Sequence, residues 1–575
     1  MLKIFKYFRP IDWVISILII ALTGVSVLLD LKLPEYMSEL VTLITASSAN
    51  TGEIWEVGLK MLLVTLASTG VTILLTYSAA RVASGLAARL RSNIFQTVGT
   101  FSSAEMNKFT TASLITRSTN DVSQVQQVVT MMLRMMLYAP IMAITAVVKI
   151  IEKNAELTAA TAIALGFMIA MIVVMFMLVV PRFKLVQKQT DDLNAVTREN
   201  LTGIRVIRAN NAENAQEKKF ENVNNKVTRT TLFINRVQSF MMPGMTLIQN
   251  ALSLTIVWLG AYLMGRAAID YSTVYLFSQY AVHVLMSFLV ISMIFIMLPR
   301  GMVSAKRITE VLDTKPSIVD GEGREQTEKG QVIFENVSFK YPDAEDYVLE
   351  NISFTAKAGE TVAFIGSTGS GKSTLINLVP RLFDVTEGRV LVNGVDVREY
   401  KLKELNNVLG YVPQKAVLFS GTLRENVCYG KQGATDEDVL ESLKIAQAEG
   451  LLEKLEGGLD AHISQGGKNV SGGQRQRLSI ARAVIRKPDI YIFDDSFSAL
   501  DYSTDKKLRI ALKRHTKNAT KLIVAQRIGT IMDADKIIVL DEGKIVGCGK
   551  HKELLESCDV YREIAYSQLS KEELQ

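Results

Sequence analysis

A glycine-rich segment in the second half of the chain combines small residues, a lysine and hydroxyl groups in a spacing suited to phosphate. This phosphate loop consists of Gly366, Ser367, Thr368, Gly369, Ser370, Gly371, Lys372, Ser373 and Thr374. An apolar run from Val362 to Ile365 predicts a strand before the loop, and Leu375 to Val379 predicts a helix after it. Backbone N–H groups and the positive helix end would surround a triphosphate, with Lys372 adding charge and Ser373 offering a hydroxyl to Mg²⁺. The loop therefore predicts a site for a magnesium-bound triphosphate.

Other segments place polar groups beside apolar runs or at helix starts. They are Phe339 to Pro342, Tyr411 to Gln414, Val470 to Gln474, Ile490 to Asp494, and Ser498 to Asp501. Together with the phosphate loop, their order resembles that of an ATP-binding cassette (ABC) exporter half-transporter. The resemblance covers nearly the whole chain.

This resemblance implies a role for each segment. Tyr341 would stack on adenine, and Gln414 would contact Mg²⁺ and the attacking water. Asp494 would hold Mg²⁺ together with Ser373, and the segment from Ser498 to Asp501 would cross a dimer interface. The signature loop, Val470 to Gln474, would cap the γ-phosphate of an ATP held by the opposite subunit. Its cofactor-binding residues are Ser471, Gly472, Gly473 and Gln474.

Two positions depart from the family pattern. The family usually has a glutamate after the magnesium aspartate to polarise the attacking water, whereas this chain has Asp495. Aspartate is shorter by a methylene, which withdraws the carboxylate by roughly 1 Å and can lower the rate on the order of a hundredfold. A switch histidine is expected after the strand Leu522 to Ala525, and here stands Gln526, whose amide can donate a hydrogen bond but cannot take up a proton. The catalytic positions are Asp495, Gln526 and Gln414. The sequence predicts that this chain's own site binds ATP but hydrolyses it weakly.

The two departures favour one subunit of a heterodimer. Its partner would be a second, non-identical ABC half-transporter with the glutamate and the histidine intact. In the family each ATP lies between one chain's phosphate loop and the other chain's signature loop. This chain's signature loop would therefore complete the partner's site. Two alternatives stay open: a homodimeric exporter that hydrolyses slowly at two equal sites, and an ATP-gated regulator or channel.

Composition indicates a chain that is partly embedded in membrane. It has 575 residues, of which 48% are hydrophobic, which is too apolar for a wholly soluble protein of several domains. The net charge of +6 is modest for this length, so a nucleic-acid partner is not indicated. Cys428, Cys548 and Cys558 show no spacing typical of a metal site or a disulfide framework, which predicts reduced cytosolic thiols.

Six apolar stretches are long enough to cross about 30 Å of hydrocarbon as helices. They lie near residues 13–33, 58–80, 131–151, 157–180, 243–264 and 273–298. Segments predicted to be cytosolic carry Arg81, Arg89, Arg91, Lys108, Arg117, Lys184, Lys188 and Arg205, whereas the loop after the first span carries Glu35, Glu39, Glu53 and Glu56. This asymmetry places both termini and the ATPase domain on the cytoplasmic side of the cell membrane. By resemblance, coupling helices would contact the ATPase domains near Thr111 to Thr119 and Leu201 to Asn210.

Polar groups inside the spans are candidates for cargo contact, although such groups also join helices to each other. They are Gln249, Asn250, Gln279 and His283. Methionines in the third span would suit either an adaptable cavity or ordinary packing. They are Met131, Met132, Met135, Met136 and Met142. The resemblance implies a lipophilic or amphipathic small-molecule cargo, drug-like or lipid, and contact with membrane lipid.

The predicted fold is therefore a multi-domain one. An all-α transmembrane domain with six helices occupies residues 1–312, and a linker occupies 313–330. An α/β P-loop ABC ATPase domain follows at 331–575.

Overall fold

The computed structural model describes residues 2–45, 51–151, 154–266, 269–342 and 344–569. The chain divides into two compact units. The first comprises Met1–Val98 and Thr111–Thr314 and the second Gly99–Thr110 and Lys315–Gln575; they are called the membrane unit and the ATPase unit after the functions expected from the sequence.

All the regular secondary structure of the described residues before Thr314 is helical. They are α1 (Pro10–Thr45), α2 (Thr51–Gly99), α3 (Ser103–Phe109), α4 (Thr111–Thr116), α5 (Val122–Met131), α6 (Leu137–Ile151), α7 (Ala155–Ala209), α8 (Glu213–Ser239), α9 (Met241–Gly265) and α10 (Tyr271–Asp313). A short 3₁₀ turn, Leu2–Tyr7, precedes α1, and wider π turns at Arg117–Asp121 and Met132–Met136 join α4, α5 and α6.

Six of the described helical stretches are long and apolar enough to cross a membrane, as predicted. Their lengths of 36 to 55 residues exceed the roughly 20 that a bilayer requires, so each runs well beyond its apolar section. Tyr280 and Phe277 of α10 are fully buried in the core of this unit. Gly260 lets α9 approach α10 closely, because a Cβ there would lie 2.7 Å from a methyl group of Val274.

The ATPase unit combines three sheets with short helices. Its strands are β1 (Val332–Phe339), β2 (Leu349–Ala356), β3 (Thr361–Gly366), β4 (Glu387–Val392), β5 (Val395–Asp396), β6 (Leu409–Val412), β7 (Gly421–Thr422), β8 (His462–Ile463), β9 (Ile490–Asp494), β10 (Thr520–Val524), β11 (Lys536–Asp541) and β12 (Lys544–Gly549). Its further helices are α11 (Lys372–Asn377), α12 (Leu402–Val408), α13 (Leu423–Cys428), α14 (Asp436–Ile445), α15 (Gly450–Lys454), α16 (Gly472–Val484), α17 (Tyr502–His515), α18 (Ile528–Ile531), α19 (His551–Ser557) and α20 (Asp559–Gln568).

The largest sheet has the strand order β12-β11-β3-β10-β9-β6, and the five strands from β11 to β6 are parallel to one another. Its central strands β9 and β10 are buried on both faces, as parallel strands covered on both sides must be. An antiparallel sheet, β2-β1-β4-β5, and the β7-β8 pair complete the unit. The predicted fold class, six helices followed by an α/β ATPase domain, is confirmed.

One predicted coupling segment lies elsewhere than expected. The Thr111 to Thr119 segment belongs to the helical stretch Thr111–Ile151 of the membrane unit. The short helix α3 instead belongs to the ATPase unit, where its Glu105 carboxylate accepts a hydrogen bond from the Ser317 N–H at 3.2 Å. Ser102 and Glu105 form a capping box that starts α3, so a polar turn separates it from the long helices. The Leu201 to Asn210 segment is the exposed end of α7 rather than a separate helix.

Candidate nucleotide site

Four neighbouring parallel strands end at one edge of the large sheet. In register, Val524 of β10 pairs with Phe364 of β3 and with Asp494 of β9, and Val412 of β6 pairs with Phe493. Parallel strands present their carboxyl ends on the same side, where ligands of open α/β sheets bind. The sheet thus gathers the phosphate loop, Asp494, Asp495, Gln414 and Gln526, which are spread over 161 positions of the sequence.

The phosphate loop is tightly packed against its surroundings. Gly366 lies so close to β11 that a Cβ there would be 2.0 Å from the Leu540 carbonyl oxygen. Gly371 has φ of +92°, and a Cβ there would meet the Leu349 side chain at 2.7 Å. Glycine is therefore required at both positions, and the loop forms a backbone cradle in front of α11.

Lys372 lies within this cradle. Its ammonium donates hydrogen bonds to the carbonyl oxygens of Gly366 at 2.9 Å and Ser367 at 2.6 Å. Burial lowers the pKa of the Lys372 ammonium, and the nearby Asp495 and Asp494 carboxylates oppose that change. A triphosphate in the cradle would bring three further acceptor groups to this half-buried cation.

Ser373 and Asp494 are joined directly. The Ser373 hydroxyl donates to Asp494 Oδ1 at 2.7 Å. Burial raises the pKa of the Asp494 carboxyl, the Ser373 hydrogen bond opposes the rise, and the adjacent Asp495 adds to it. A divalent cation between these oxygens would relieve both effects, because Mg²⁺ favours one or two carboxylates together with hydroxyl, water and phosphate oxygens. The donor set therefore fits Mg²⁺ bound with a nucleotide.

The two departures from the family pattern contact each other. Gln526 Nε2 donates to Asp495 Oδ2 at 2.8 Å, and Gln414 Nε2 approaches the same oxygen at 3.4 Å. Burial raises the pKa of the Asp495 carboxyl, while hydrogen bonds from Gln414 and Ser498 oppose the rise. One carboxylate oxygen thus already has two amide donors, which would compete with a water molecule for that oxygen.

Tyr341 stands beside the loop in an aromatic cluster. Its ring meets Phe339 and Phe383 edge to face, with centroids 5.0 and 5.3 Å away. Its hydroxyl hydrogen-bonds Thr374 Oγ1 at 3.0 Å, so the phosphate loop fixes the ring orientation. The ring is partly exposed and could stack on a base.

The signature loop begins α16 with a capping box. Ser471 Oγ accepts from the Gln474 N–H at 3.3 Å, and the Gln474 side chain accepts from the Ser471 N–H at 2.8 Å. Arg475 holds the preceding loop through the carbonyl oxygens of Gly467 and Val470. Ser471 and Gly472 are exposed, so the helix end is open to a ligand carried by another chain.

Sequence reasoning did not identify two residues that hold the switch position. The Gln568 side chain of α20 donates to the Gln526 carbonyl oxygen at 2.8 Å and accepts from the Ile528 N–H at 2.9 Å. Arg527 donates to the carbonyl oxygens of Ser498 at 3.1 Å and Leu500 at 3.3 Å. No motif marks Gln568, whereas Arg527 could have been noticed as a cation next to a catalytic position.

Replacing Gln568 with alanine should loosen the chain around Gln526. Loss of the two hydrogen bonds is expected to speed amide exchange at residues 526–531 by about 30-fold, since each contributes about 1 kcal/mol. Hydrogen–deuterium exchange of the purified protein, read by mass spectrometry, measures this. Ser567→Ala on the same helix is the matched control, because the hydrogen bond that the structure describes for its hydroxyl is to the Ile564 carbonyl oxygen of its own helix. Unchanged exchange in Gln568→Ala would show that α20 does not hold this segment.

Comparisons with known proteins agree on the architecture. The family profile described as "ABC transporter transmembrane region" matches residues 16–288, and the profile described as "ABC transporter" matches residues 349–498. An uncharacterized ABC transporter ATP-binding protein of Mycobacterium tuberculosis is 39% identical over 98% of this chain and 97% of its own length. An ATP-dependent lipid A-core flippase of Syntrophus aciditrophicus is 30% identical over 85% of this chain and 81% of its own length.

A solved structure described as a bacterial Atm1-family ABC exporter with ATP bound has a similar fold. Its TM-score is 0.77, and the match covers 97% of this chain and 98% of that one. At 23% sequence identity, this likeness supports the fold alone.

Proposed function

Since the chain belongs to the ABC transporter family, and hydrolyses ATP in order to drive transport as an exporter, we propose that it is the degenerate-site subunit of a heterodimer. The observation that carries this proposal is the hydrogen bond from Gln526 to Asp495. It joins the two positions that depart from the family pattern, and it uses an oxygen on which water activation would depend.

The proposal of slow hydrolysis rests on the length of the Asp495 side chain and on its hydrogen bonds. The side chain is shorter than glutamate by a methylene, and its Oδ2 already faces the amides of Gln414 and Gln526. Gln526 offers a hydrogen-bond donor to a phosphate oxygen but no group that titrates. ATP would bind at this site and be hydrolysed slowly.

Binding functions are retained at the same edge of the sheet. The phosphate loop would hold the triphosphate, and Tyr341 would stack on the base. Ser373, Asp494 and Gln414 would hold Mg²⁺. When bound, this ion would neutralise negative charge on the phosphate oxygens. The exposed signature loop would cap the nucleotide of the partner subunit, where turnover would occur.

Charge and homology support a location and a cargo class. The chain is a multi-pass membrane protein with six candidate spans. The cationic loops support placing both termini and the ATPase domain on the cytoplasmic side of the cell membrane. Relatives named as lipid A-core flippases, at 30% and 31% identity, support a lipophilic or amphipathic cargo drawn from membrane lipid.

Purification from native membranes through a tag on this chain tests the pairing. We expect a second half-transporter to co-purify in equal amount, with a glutamate after its magnesium aspartate and a switch histidine. A preparation that contains this chain alone, as an active dimer, would contradict the heterodimer and favour the homodimeric alternative.

Replacing Lys372 with alanine is expected to weaken ATP binding by this chain about 10- to 100-fold. The reason is the loss of charge-assisted hydrogen bonds, which contribute about 1.5–3 kcal/mol. Equilibrium binding of a fluorescent ATP analogue to the purified protein measures the change. Lys357→Ala, at an exposed lysine of the same unit, is the control and should bind like wild type. Equal affinities of the Lys372→Ala variant and wild type would exclude the phosphate loop as the ATP site.

A further inference from the structure

A cavity of about 500 Å³ lies inside the membrane unit, between α1, α2, α6 and α10. Asp30 of α1 contributes a carboxylate to its wall, in the middle of a helix that runs from Pro10 to Thr45 and is a candidate membrane span. Charged groups within candidate membrane spans are rare and costly to bury, which makes each of them a candidate functional group. Of the four polar residues proposed from sequence as cargo contacts, Gln279 and His283 also line this cavity.

Two hydroxyl groups orient the Asp30 carboxylate. Ser68 Oγ donates to Oδ1 at 2.7 Å, and the Tyr138 hydroxyl donates to Oδ2 at 2.8 Å. Each carboxylate oxygen accepts one of these hydrogen bonds and keeps further acceptor capacity. Asp30 is only partly buried, which fits a group that is accessible from the cavity.

The neighbouring carboxylate on the same helix, that of Glu35, has positively charged partners. Glu35 forms ion pairs with Lys32 at 2.6 Å and Lys149 at 3.0 Å. Among the described residues, no Lys, Arg or His nitrogen lies within the 4.0 Å ion-pair distance of Asp30. Lys32 and Lys149 are therefore paired with Glu35, whereas Asp30 has no lysine or arginine partner among the described residues and shares its cavity with one histidine, His283.

The remaining walls suit an organic cation rather than a bare ion. The rings of Tyr138 and Tyr275 can face a positive charge, while Leu33, Met37 and Met61 offer apolar contact to its body. A volume of about 500 Å³ is in the range of pockets for drug-sized ligands.

We propose that this cavity binds a lipophilic organic cation, with Asp30 as its counter-ion and the two tyrosine rings beside the charge. The proposal rests on the export function proposed above, and it narrows the cargo to molecules that combine an apolar body with a permanent or protonated positive centre. The cost of removing charged groups from water is offset only where opposite charges meet in the cavity. Neutral and anionic molecules of equal size would therefore bind less well.

Tetraphenylphosphonium and tetraphenylborate, which match in size and shape and differ in charge, provide the test. Equilibrium binding to the nucleotide-free protein in lipid nanodiscs, corrected with empty nanodiscs, should show saturable binding of the phosphonium alone. Asp30→Asn is expected to weaken phosphonium binding at least tenfold, and Asp30→Glu, which restores the charge, should recover part of it. Glu39→Gln, which removes an exposed carboxylate from the same helix, is the matched control and should leave affinity unchanged.

Two outcomes would overturn the proposal: equal phosphonium affinity in Asp30→Asn and wild type, or wild-type binding that prefers the borate. Protein monodispersity and ATP binding confirm that each variant is folded. ATP-driven uptake of a neutral lipophilic dye into inside-out vesicles separates this result from the export function. If the dye is taken up but the Asp30 substitutions do not change phosphonium binding, the cation site alone is rejected. If phosphonium binding depends on Asp30 but no probe is taken up, the export function is rejected and the cation preference of the cavity stands.

Discussion

Restoring both family residues, with Asp495→Glu and Gln526→His, should raise ATP turnover of the purified chain on the order of a hundredfold. The longer carboxylate would recover roughly 1 Å of reach toward the attacking water. An imidazole at position 526 would replace an amide that now donates to Asp495 Oδ2 at 2.8 Å. Phosphate release at saturating Mg-ATP, from protein in nanodiscs, measures the gain.

The single changes should give much less than the product of their effects. Glutamate at position 495 would extend toward the Gln526 amide, and histidine at position 526 would leave the short aspartate out of reach. Residues in direct contact couple by about 0.5–3 kcal/mol, so a double-mutant cycle should show strong non-additivity. Asp495→Asn is the matched control, and its turnover should stay within about tenfold of wild type because Asp495 contributes little. A double variant that binds ATP normally and is no faster than wild type would contradict this explanation of the weak site.

Removing the signature hydroxyl, with Ser471→Ala, should lower turnover of the assembled transporter on the order of a hundredfold. If this loop completes the partner's working site, the change deletes a preorganised donor at the developing phosphate charge, which is the class of contact with the largest catalytic effects. ATP binding at this chain's own phosphate loop should not change. Phosphate release and nucleotide binding by the co-purified complex measure the two quantities separately.

Thr435→Ala controls for loss of a helix cap. Ser471 and Thr435 each accept a hydrogen bond at 3.3 Å from the backbone of their third helical residue, in capping boxes that start α16 and α14. Each alanine should therefore cost about 1 kcal/mol of stability. Turnover should fall in Ser471→Ala alone. Equal losses in the two variants would assign the effect to helix stability and remove the signature loop from the partner's site.

Sequence patterns predicted those elements whose structure depends on residues close together in the chain. The phosphate loop was recognisable because its glycines are required where the chain approaches Leu540 and Leu349 closely. The six spans were recognisable because apolar runs of this length have no other stable environment. The sequence could not give the ends of these helices, which continue through polar segments that no hydropathy pattern marks.

Asp30 illustrates that difference. The first apolar stretch predicted from the sequence lies near residues 13–33, so Asp30 falls close to its end. In the structure α1 continues to Thr45, which places Asp30 inside the helix and against α2 and α6. Its importance depends on where Ser68 and Tyr138 lie, and such long-range contacts leave no trace in local spacing.

In the candidate nucleotide site, too, the sequence predicted some features and not others. Its residue types followed from motifs, whereas the contact between Asp495 and Gln526 follows from β9 and β10 being neighbours in the sheet. The α3 helix was not predicted from the sequence, for a related reason. Its capping box is short and polar, and its membership of the ATPase unit rests on contacts with residues such as Ser317, more than 200 positions away.

The fate of bound nucleotide tests the central claim most directly. The purified chain is loaded with radiolabelled Mg-ATP, freed of unbound nucleotide, and sampled over time for the ratio of bound ATP to bound ADP. A site that grips nucleotide and cleaves it poorly should retain intact ATP through a period in which the Asp495→Glu, Gln526→His variant converts its ATP to ADP. Conversion to ADP at the same rate in both proteins would contradict the account.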